Sequence, residues 1–318
     1  MPEAPCLVAD VGGTHARFAL AVPGERIAAP DLVVDCASHT TIEAAIEVFL
    51  DSHGVRPQAA CLAVAGPVNG DQVSLTNGPW RFSTRELRHH LGLDRLLVIN
   101  DFAALARGLP ALGAAETVAI GAVGGRRNAG LPMAVLGPGT GLGIAGLVPG
   151  PAGPSVVAGE GGHAGFAPRD DLEDELLKRL RRDRGHVSNE MLLSGPGVLS
   201  LYRALAEVRG VAPRCATPAE VSTHGLGDGD LLAREALEVF CAVLGSVAGD
   251  VALTFGARGG VFIGGGIAPR LLPLLEIGRF RERFEDKGVQ RNYVAGIPVR
   301  VIIGGAAALN GALAALAT

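Results

Sequence analysis

A unit of two short apolar runs around a glycine-rich turn occurs twice in this chain, and it constrains the fold more than any other feature. The first copy joins residues 6–9 to 17–22, and the second joins residues 133–136 to 144–148. Such runs predict a strand, a turn and a returning strand, in which glycine lets the backbone approach a ligand closely. The repetition predicts a duplicated phosphate-binding hairpin, or else a coincidence in a chain with 46 glycines among 318 residues.

The remaining apolar patterns alternate between the two kinds of secondary structure. Short apolar runs predict strands at residues 31–34, 60–65, 96–99 and 260–267. Helical spacing of apolar side chains predicts helices at residues 41–52, 172–184 and 231–244, and residues 301–318 read as a strand and a helix. This alternation predicts an α/β fold with a largely parallel core, and a hinge near residues 109–115.

Composition excludes several classes of protein. Apolar residues make up 48% of the chain, which is too many for a disordered protein. A net charge of −4, with one Trp, two Tyr and ten Phe, offers neither a basic footprint nor a stacking surface for nucleic acid. The uncharged stretch at residues 128–159 is too rich in proline and glycine for a membrane span, and no secretory signal is recognisable at the start of the chain. Five widely separated cysteines predict free thiols in the cytoplasm and no zinc cluster.

The first glycine turn carries side chains suited to a phosphate and its metal ion. Ala9, Asp10, Val11, Gly12, Gly13 and Thr14 lead into Arg17. Phosphate oxygens need backbone N–H donors without a Cβ in the way, and Mg²⁺ needs oxygen ligands nearby. The alternative is an ordinary hairpin turn with an aspartate at the surface.

The second glycine turn, residues 137–143, contains Gly137, Gly139, Thr140 and Gly141. Its spacing resembles a dinucleotide-binding fingerprint, but that fingerprint requires a helix immediately afterwards. Here a strand-like run follows, and no Gly-Lys-Ser/Thr of a Walker A loop is present. The turn is therefore a second candidate phosphate cradle of another kind.

Other polar and glycine positions each allow two interpretations. Asn100 and Asp101 follow a predicted strand, where Asp101 could act as a general base; taken alone, the pattern favours Asp101 as the cap of a helix over residues 102–107. Glu160, His163 and Glu190 are candidate ligands of a polar molecule. The glycines of residues 264–266 could lie against a flat ring, although a strand-to-helix turn is the simpler explanation.

The order of these segments is more specific than any one of them. DVGGTHARFAL, TNGPW, INDF, LGPGTGLG, GEGGHAGFAP, GHVSNEMLLSGPG, GGVFIGGGIAPR and FEDKG follow one another from residue 10 to residue 288. In this order they resemble the bacterial glucokinase family of the actin-like ATPase superfamily, which also contains the hexokinases.

The resemblance implies a fold and a site. It implies a two-domain actin-like ATPase (ribonuclease H-like) fold: a small domain over residues 1–110, completed by a C-terminal helix at about 305–318, a large domain over 111–304, and a glucose cleft between them. It also implies ATP-dependent phosphorylation of glucose at O6 in a cytoplasmic homodimer. Its site residues are Ala9, Asp10, Val11, Gly12, Gly13, Thr14, Gly137, Gly139, Thr140, Gly141, Gly264, Gly265 and Gly266 for ATP and Mg²⁺, with Asp10 nearest the metal; Asn77, Asn100, Asp101, Gly139, Glu160, His163 and Glu190 for glucose; and Asp101 as catalytic base.

Three differences from the family pattern affect these expectations. His15 stands where the family has Asn, next to the phosphate turn, and this bears on nucleotide affinity. The C-terminal segment lacks the polar and proline residues common there, which weakens the expectation that its helix docks. The zinc-binding cysteines of the related repressor–kinase group are absent, so no structural zinc is expected. A kinase of mannose, fructose or an amino sugar, and a non-catalytic sugar sensor, remain alternatives. The sensor is the weaker one, because only about nine residues precede the first turn.

Overall fold

The computed structural model describes residues 4–76, 78–121, 128–227 and 229–317. The chain divides into two compact units. The first comprises Met1–Glu116, Gly146–Ala158 and Gly304–Thr318, and the second comprises Thr117–Ala145 and Gly159–Ile303.

Strands and helices alternate along the described residues, as the sequence predicts. The strands are β1 (Cys6–Val11), β2 (His15–Ala21), β3 (Leu32–Asp35), β4 (Ala59–Val64), β5 (Gln72–Ser74), β6 (Arg81–Ser83), β7 (Arg95–Asn100), β8 (Thr117–Ile120), β9 (Met133–Pro138), β10 (Leu142–Val148), β11 (Ser155–Gly159), β12 (Gly260–Ile263) and β13 (Val299–Ile302). The helices are α1 (Ile42–His53), α2 (Thr84–His90), α3 (Asp101–Gly108), α4 (Asp171–Arg184), α5 (Gly195–Arg209), α6 (Pro218–Leu226), α7 (Leu231–Phe255), α8 (Leu272–Ile277), α9 (Phe280–Glu285), α10 (Arg291–Ala295) and α11 (Ala307–Leu316). The α/β class is therefore confirmed.

The first unit is built on a five-stranded sheet in the order β3-β2-β1-β4-β7. β1, β4 and β7 run parallel, whereas β2 and β3 are antiparallel additions at one side. Side chains alternate between the two faces of a strand. Accordingly Leu7 and Val11 join the core that contains Phe49 of α1, while Val8 joins the core that contains Leu313 of α11. Helices thus cover both faces of this sheet.

The terminal helix α11 docks firmly, contrary to the doubt raised by its sequence. A Cβ on Gly311 would overlap the backbone carbonyl of Ala104, and one on Gly108 would overlap that of Ala307, so paired glycines bring α11 and α3 into close contact. The buried Asn310 side chain accepts the Ile27 N–H at 2.9 Å and donates to the Ile27 carbonyl at 2.8 Å. Small residues and one buried amide replace the missing polar and proline residues.

The second unit contains most of a six-stranded sheet in the order β11-β10-β9-β12-β13-β8, with β9, β12 and β13 parallel. Helix α7 fills its core and extends eleven residues beyond the predicted end at residue 244. The glycine after the predicted end, Gly245, does not terminate the helix. A side chain there would collide with the backbone of Phe280, so this glycine allows α9 to pack against α7. α7 is long and apolar enough to cross a membrane, but 78% of its most apolar stretch is buried inside the protein, as expected of a core helix.

Candidate active site

Strand register places polar residues of the first unit at one edge of its sheet. Val11 pairs with Val64, and Val64 pairs with Asn100, so the ends of β1, β4 and β7 are level. Asp10 lies one residue before the end of β1, and Asp101 directly follows β7. Neighbouring strands are about 4.8 Å apart, so two strand spacings separate β1 from β7, roughly 10 Å. The carboxyl ends of parallel strands are where α/β proteins bind ligands.

Asn100, rather than Asp101, caps the helix that follows β7, so the simple capping interpretation of Asp101 is wrong. The Asn100 Oδ1 atom accepts the N–H groups of Phe102 at 3.0 Å and Ala103 at 3.1 Å. Its amide nitrogen donates to Asp101 Oδ1 at 2.9 Å and to the Gly66 carbonyl at 3.3 Å. The amide does the capping because an asparagine side chain can accept at one end and donate at the other. Asp101 is left as the first residue of α3, held by the cap.

The environment of Asp101 suits a proton acceptor. Burial raises its pKa to about 7, and the negative charge of Asp10 adds to that rise; the Phe102 N–H and the Asn100 amide act in the opposite direction. Burial also raises the pKa of Asp10, against the Arg17 guanidinium, whose Nη1 lies 3.2 Å from Asp10 Oδ2. A half-buried carboxyl whose pKa lies near 7 has the property that general bases need in enzymes working at neutral pH.

The turn between β1 and β2 is held by hydrogen bonds between backbone groups. The Gly12 N–H donates to the carbonyl of His15 at 2.9 Å, and the Cys36 N–H donates to the carbonyl of Thr14 at 2.8 Å. His15 therefore contributes through its carbonyl, which any residue supplies, and its side chain is exposed. The turn keeps its form with His in place of Asn.

In the second unit, the turn of residues 137–143 is held from several sides. Within the turn, the Gly139 N–H donates to the Gly141 carbonyl at 2.8 Å. The Gly195 N–H, at the start of α5, donates to the Gly139 carbonyl at 2.8 Å. Leu142 donates its N–H to Glu190 Oε2, also at 2.8 Å. Of the predicted residues here, Gly137 is buried, Gly139 and Gly141 are half-buried, and Thr140 is exposed.

Two of the predicted sugar ligands lie close together in this unit. His163 Nε2 is 3.9 Å from Glu190 Oε1, and 61% and 31% of their respective side-chain surfaces remain exposed. Glu160 is exposed, and its carbonyl accepts the N–H of His163 at 3.0 Å in the short 3₁₀ turn of residues 161–163. These three residues offer carboxylates and an imidazole to a polar ligand.

The three glycines after β12 permit a close backbone contact with the same turn. Gly265 has a φ of +77°, and a Cβ there would collide with the carbonyl of Pro138. Gly264 donates its N–H to Leu136 at 2.8 Å, whereas a Cβ on Gly266 would have no neighbour within 4 Å. The structure thus joins residues 264–266 to residues 137–138 and leaves open space at Gly266. Asn77, the remaining predicted sugar ligand, lies outside the described residues.

Residues 194–196, which hold the second turn through the Gly195 N–H, have no role among the sequence predictions. Ser194 caps α5, its hydroxyl accepting the Gly197 N–H at 3.1 Å, and Pro196 stands in the first turn of the helix. A Ser-x-Pro pattern before an apolar helix is a recognisable start signal. This pattern predicts that Gly195 lies at the start of a helix, but it does not predict that the Gly195 N–H donates to the Gly139 carbonyl.

The donors present fit a nucleotide and Mg²⁺. In the ranges that the structure describes, no group of three or more His, Cys, Asp and Glu side chains could hold a metal ion by itself. Mg²⁺ usually takes only one or two protein carboxylates and completes its shell with water and substrate phosphates. Asp10, two residues before Gly12, could supply one such carboxylate. A Cβ at Gly139 would meet no atom within 4 Å, so the backbone of this turn is open on that side.

Comparison with known proteins agrees with these features. A sequence model of the glucokinase family matches residues 7–318. The chain is 48% identical to the glucokinase of Chromobacterium violaceum over 320 residues, covering all of this chain and 91% of that protein. It is 45% identical to the glucokinase of Paramagnetospirillum magneticum, with coverage of 93% and 92%.

Solved structures show the same relationship. The crystal structure of a glucokinase from an Antarctic psychrotroph superposes with a TM-score of 0.89 at 40% identity, over 99% of each chain. A ROK family glucokinase from Streptomyces griseus, solved with glucose and AMPPNP, has the same fold at a TM-score of 0.64 and 19% identity, over 98% of each chain. The full-length family match and the close relatives show that this chain belongs to the glucokinase family.

Proposed function

We propose that this chain transfers the γ-phosphoryl group of ATP to O6 of D-glucose, giving glucose 6-phosphate and ADP, the first step of glycolysis. The observation that carries the proposal is Asp101. It follows a parallel strand, it is fixed by the Asn100 cap, and burial raises its pKa to about 7. Membership of the glucokinase family supports the same reaction.

In this proposal, the glucose hydroxyls are bound by Asn77, Asn100, Asp101, Glu160, His163 and Glu190, with the backbone of Gly139. Carboxylates accept from hydroxyls, while an amide both donates and accepts. A sugar that lacks one hydroxyl would cover a polar group without bonding to it, and such a sugar is bound less tightly. Asn100 contributes by exchanging its longer bond, 3.3 Å to the Gly66 carbonyl, for a sugar oxygen.

The nucleotide would be held by glycine-rich backbone. We assign the phosphates and Mg²⁺ to the first turn (Ala9, Asp10, Val11, Gly12, Gly13 and Thr14) and to the second (Gly137, Gly139, Thr140 and Gly141), and the adenosine to Gly264, Gly265 and Gly266. When bound, Mg·ATP supplies the phosphoryl group and neutralises charge on it during transfer. Asp10 is the carboxylate we assign to the metal.

The chemical step assigned to this chain is a proton transfer. Asp101 accepts two hydrogen bonds on Oδ1, from Asn100 and Phe102, so we assign Oδ2 to the substrate. Oδ2 takes the proton of the C6 hydroxyl as the bond from O6 to phosphorus forms and the bond from phosphorus to the leaving oxygen of ADP breaks. During this displacement, N–H groups of the glycine turns would stabilise the negative charge on the phosphoryl oxygens.

The finer architecture is part of the proposal. We propose that the two units are the small and large domains of an actin-like ATPase (ribonuclease H-like) fold, with β1–β2 and β9–β10 as its duplicated phosphate hairpins. We also expect a homodimer, which sedimentation of the purified protein tests, and a cytoplasmic location. Kinase activity on another hexose, and sugar sensing without catalysis, are the competing functions.

Product analysis tests the proposal directly. The purified chain is incubated with Mg·ATP and glucose, and the product is identified by ³¹P and ¹³C NMR. We expect phosphate on C6 and one ADP for each sugar phosphate formed. Phosphorylation at another carbon, or glucose binding without ADP release, would contradict the assignment of Asp101 to the C6 hydroxyl.

A further inference from the structure

The second unit contains a direct link between the segment assigned to glucose and the turn assigned to phosphate. Glu190 Oε2 accepts the N–H of Leu142 at 2.8 Å, within the turn of residues 137–143. A side chain at Gly141 would collide with this same oxygen, so glycine is needed there for the carboxylate to reach the backbone. One sugar-segment side chain therefore fixes the phosphate turn without any ligand bound.

Backbone contacts reinforce the link. The N–H of Glu190 donates to the carbonyl of Gly162 at 2.9 Å, and Asn189 donates to Ala164 at 2.9 Å. A Cβ on Gly162 would overlap the carbonyl of Leu142, so the GEGGH segment packs on the same residue that Glu190 binds. The segment of residues 189–195 continues to Gly195, whose N–H holds the Gly139 carbonyl. Three stretches of chain thus meet around one carboxylate.

The electrostatics favour this arrangement of Glu190. A carboxylate accepting a backbone N–H forms a charge-assisted bond, which is stronger than a bond between neutral groups. About a third of the Glu190 side chain is exposed, and Oε1, the oxygen that does not hold Leu142, lies 3.9 Å from His163. One oxygen is engaged by the turn, and the other faces the second proposed sugar ligand.

We propose that Glu190 is a positioning residue for the phosphate turn as well as a sugar ligand, and that it couples the binding of hexose and nucleotide. This inference rests on the proposed assignment of residues 137–143 to the ATP phosphates. With the turn held, its N–H groups are oriented before the nucleotide arrives, which lowers the ordering cost of binding. A sugar bound to Oε1 restrains Glu190 further, so each ligand strengthens the binding of the other to the same degree.

The test measures nucleotide affinity in the absence of sugar, a quantity that a residue serving only as a sugar ligand does not affect. Isothermal titration calorimetry gives the Kd of Mg·AMPPNP for the wild type, Glu190→Ala and Glu190→Gln. We expect Glu190→Ala to bind about tenfold more weakly, through loss of a hydrogen bond to a charged group. Glu190→Gln keeps an acceptor for Leu142 and should stay within about threefold of the wild type, while its KM for glucose rises through loss of the charge.

His163→Ala is the matched control, because it removes a neighbouring sugar ligand that is mostly exposed. Its sugar-free Kd for Mg·AMPPNP should remain within about twofold of the wild type. Gly141→Ala places a methyl group against the Glu190 carboxylate, so it should weaken nucleotide binding to a similar extent. The double variant that combines Gly141→Ala with Glu190→Ala should also bind Mg·AMPPNP about tenfold more weakly than the wild type and no more weakly than that, because both changes break the same contact.

The outcomes separate this inference from the proposed function. An unchanged Kd for Mg·AMPPNP in Glu190→Ala, together with a raised KM for glucose, would overturn the positioning role and leave the glucokinase reaction intact. Additive losses in the double variant would overturn it as well. Failure of the wild type to phosphorylate any hexose would contradict the proposed function, and the sugar-free nucleotide comparison could still be made. Thermal melts of each variant establish that the protein is folded.

Discussion

Replacing Asp101 with asparagine should inactivate this protein and stabilise it at the same time. Asn has nearly the same shape, and its Oδ1 can accept the Phe102 N–H that Asp101 Oδ1 now accepts at 2.9 Å. It cannot take a proton at neutral pH. General-base catalysis contributes roughly 10²–10⁴-fold, so we expect kcat with glucose to fall by about that factor.

The gain in stability follows from the pKa of Asp101. Burial raises this pKa from 3.8 to about 7, so the folded protein binds the proton more tightly than the unfolded chain does. The charged carboxylate therefore costs little at pH 4, its cost in unfolding free energy grows as the pH rises from about 4 to about 7, and the cost is complete above pH 7. The difference between 3.8 and about 7 corresponds to a cost on the order of 4 kcal/mol at pH 8. The asparagine variant avoids it.

Urea unfolding at pH 5 and pH 8 measures this gain, and a coupled ADP assay measures activity. We expect Asp101→Asn to exceed the wild type in unfolding free energy by a few kcal/mol at pH 8, and by much less at pH 5. Asp94→Asn is the matched control: Asp94 is exposed and directly precedes β7, at the end opposite Asp101. It should change neither quantity. Near-normal turnover in Asp101→Asn would refute the assignment of the base. If the variant and the wild type differed equally in unfolding free energy at pH 5 and pH 8, the raised pKa of Asp101 would be refuted.

Three further experiments test the pH dependence of the reaction, the docking of α11 and one buried ion pair. In a pH series, kcat/KM for glucose should fall about tenfold per pH unit below pH 7, because protonated Asp101 cannot accept a proton; a flat profile down to pH 5 would exclude this base. Gly311→Ala should lower the unfolding free energy by about 3 kcal/mol by forcing α11 from α3, while Gly304→Ala, which meets no atom within 4 Å, should be tolerated in the same urea titration. Glu173→Gln removes one of the two carboxylates that pair with the Arg283 guanidinium, which is 2% exposed, and leaves Asp170 3.3 Å from Arg283 Nη1; it should cost about 1–3 kcal/mol. Glu175→Gln, in an exposed ion pair, should hardly move Tm, and equal shifts of Tm in calorimetry would contradict the buried pair.

Local signals in the sequence were sufficient to predict most of the secondary structure near the site. The glycine turn after β1 and the strand before Asn100 were predicted within one or two residues, because strand periodicity and turn glycines act over short distances. The α7 helix was predicted too short, because Gly245 serves a contact with Phe280, which is distant in sequence. Sequence patterns do not report such contacts.

The candidate site was predictable in its residues but not in its connections. The sequence indicated Asn100 and Asp101 as a pair, but the division of work between cap and base depends on side-chain hydrogen bonds. The sequence indicated Glu190 as a candidate ligand of a polar molecule, and the family resemblance implied that this molecule is glucose. Its bond to Leu142 joins residues 48 positions apart, and only the folded chain brings them together.

The steady-state specificity of the purified wild-type protein tests the central claim most directly. A coupled ADP-release assay with Mg·ATP compares kcat/KM for glucose, mannose, fructose, glucosamine and N-acetylmannosamine. We expect glucose to be preferred over the other four sugars, because several polar groups form hydrogen bonds with its hydroxyls together. A preference for another hexose, or no ADP release with any of them, would contradict it.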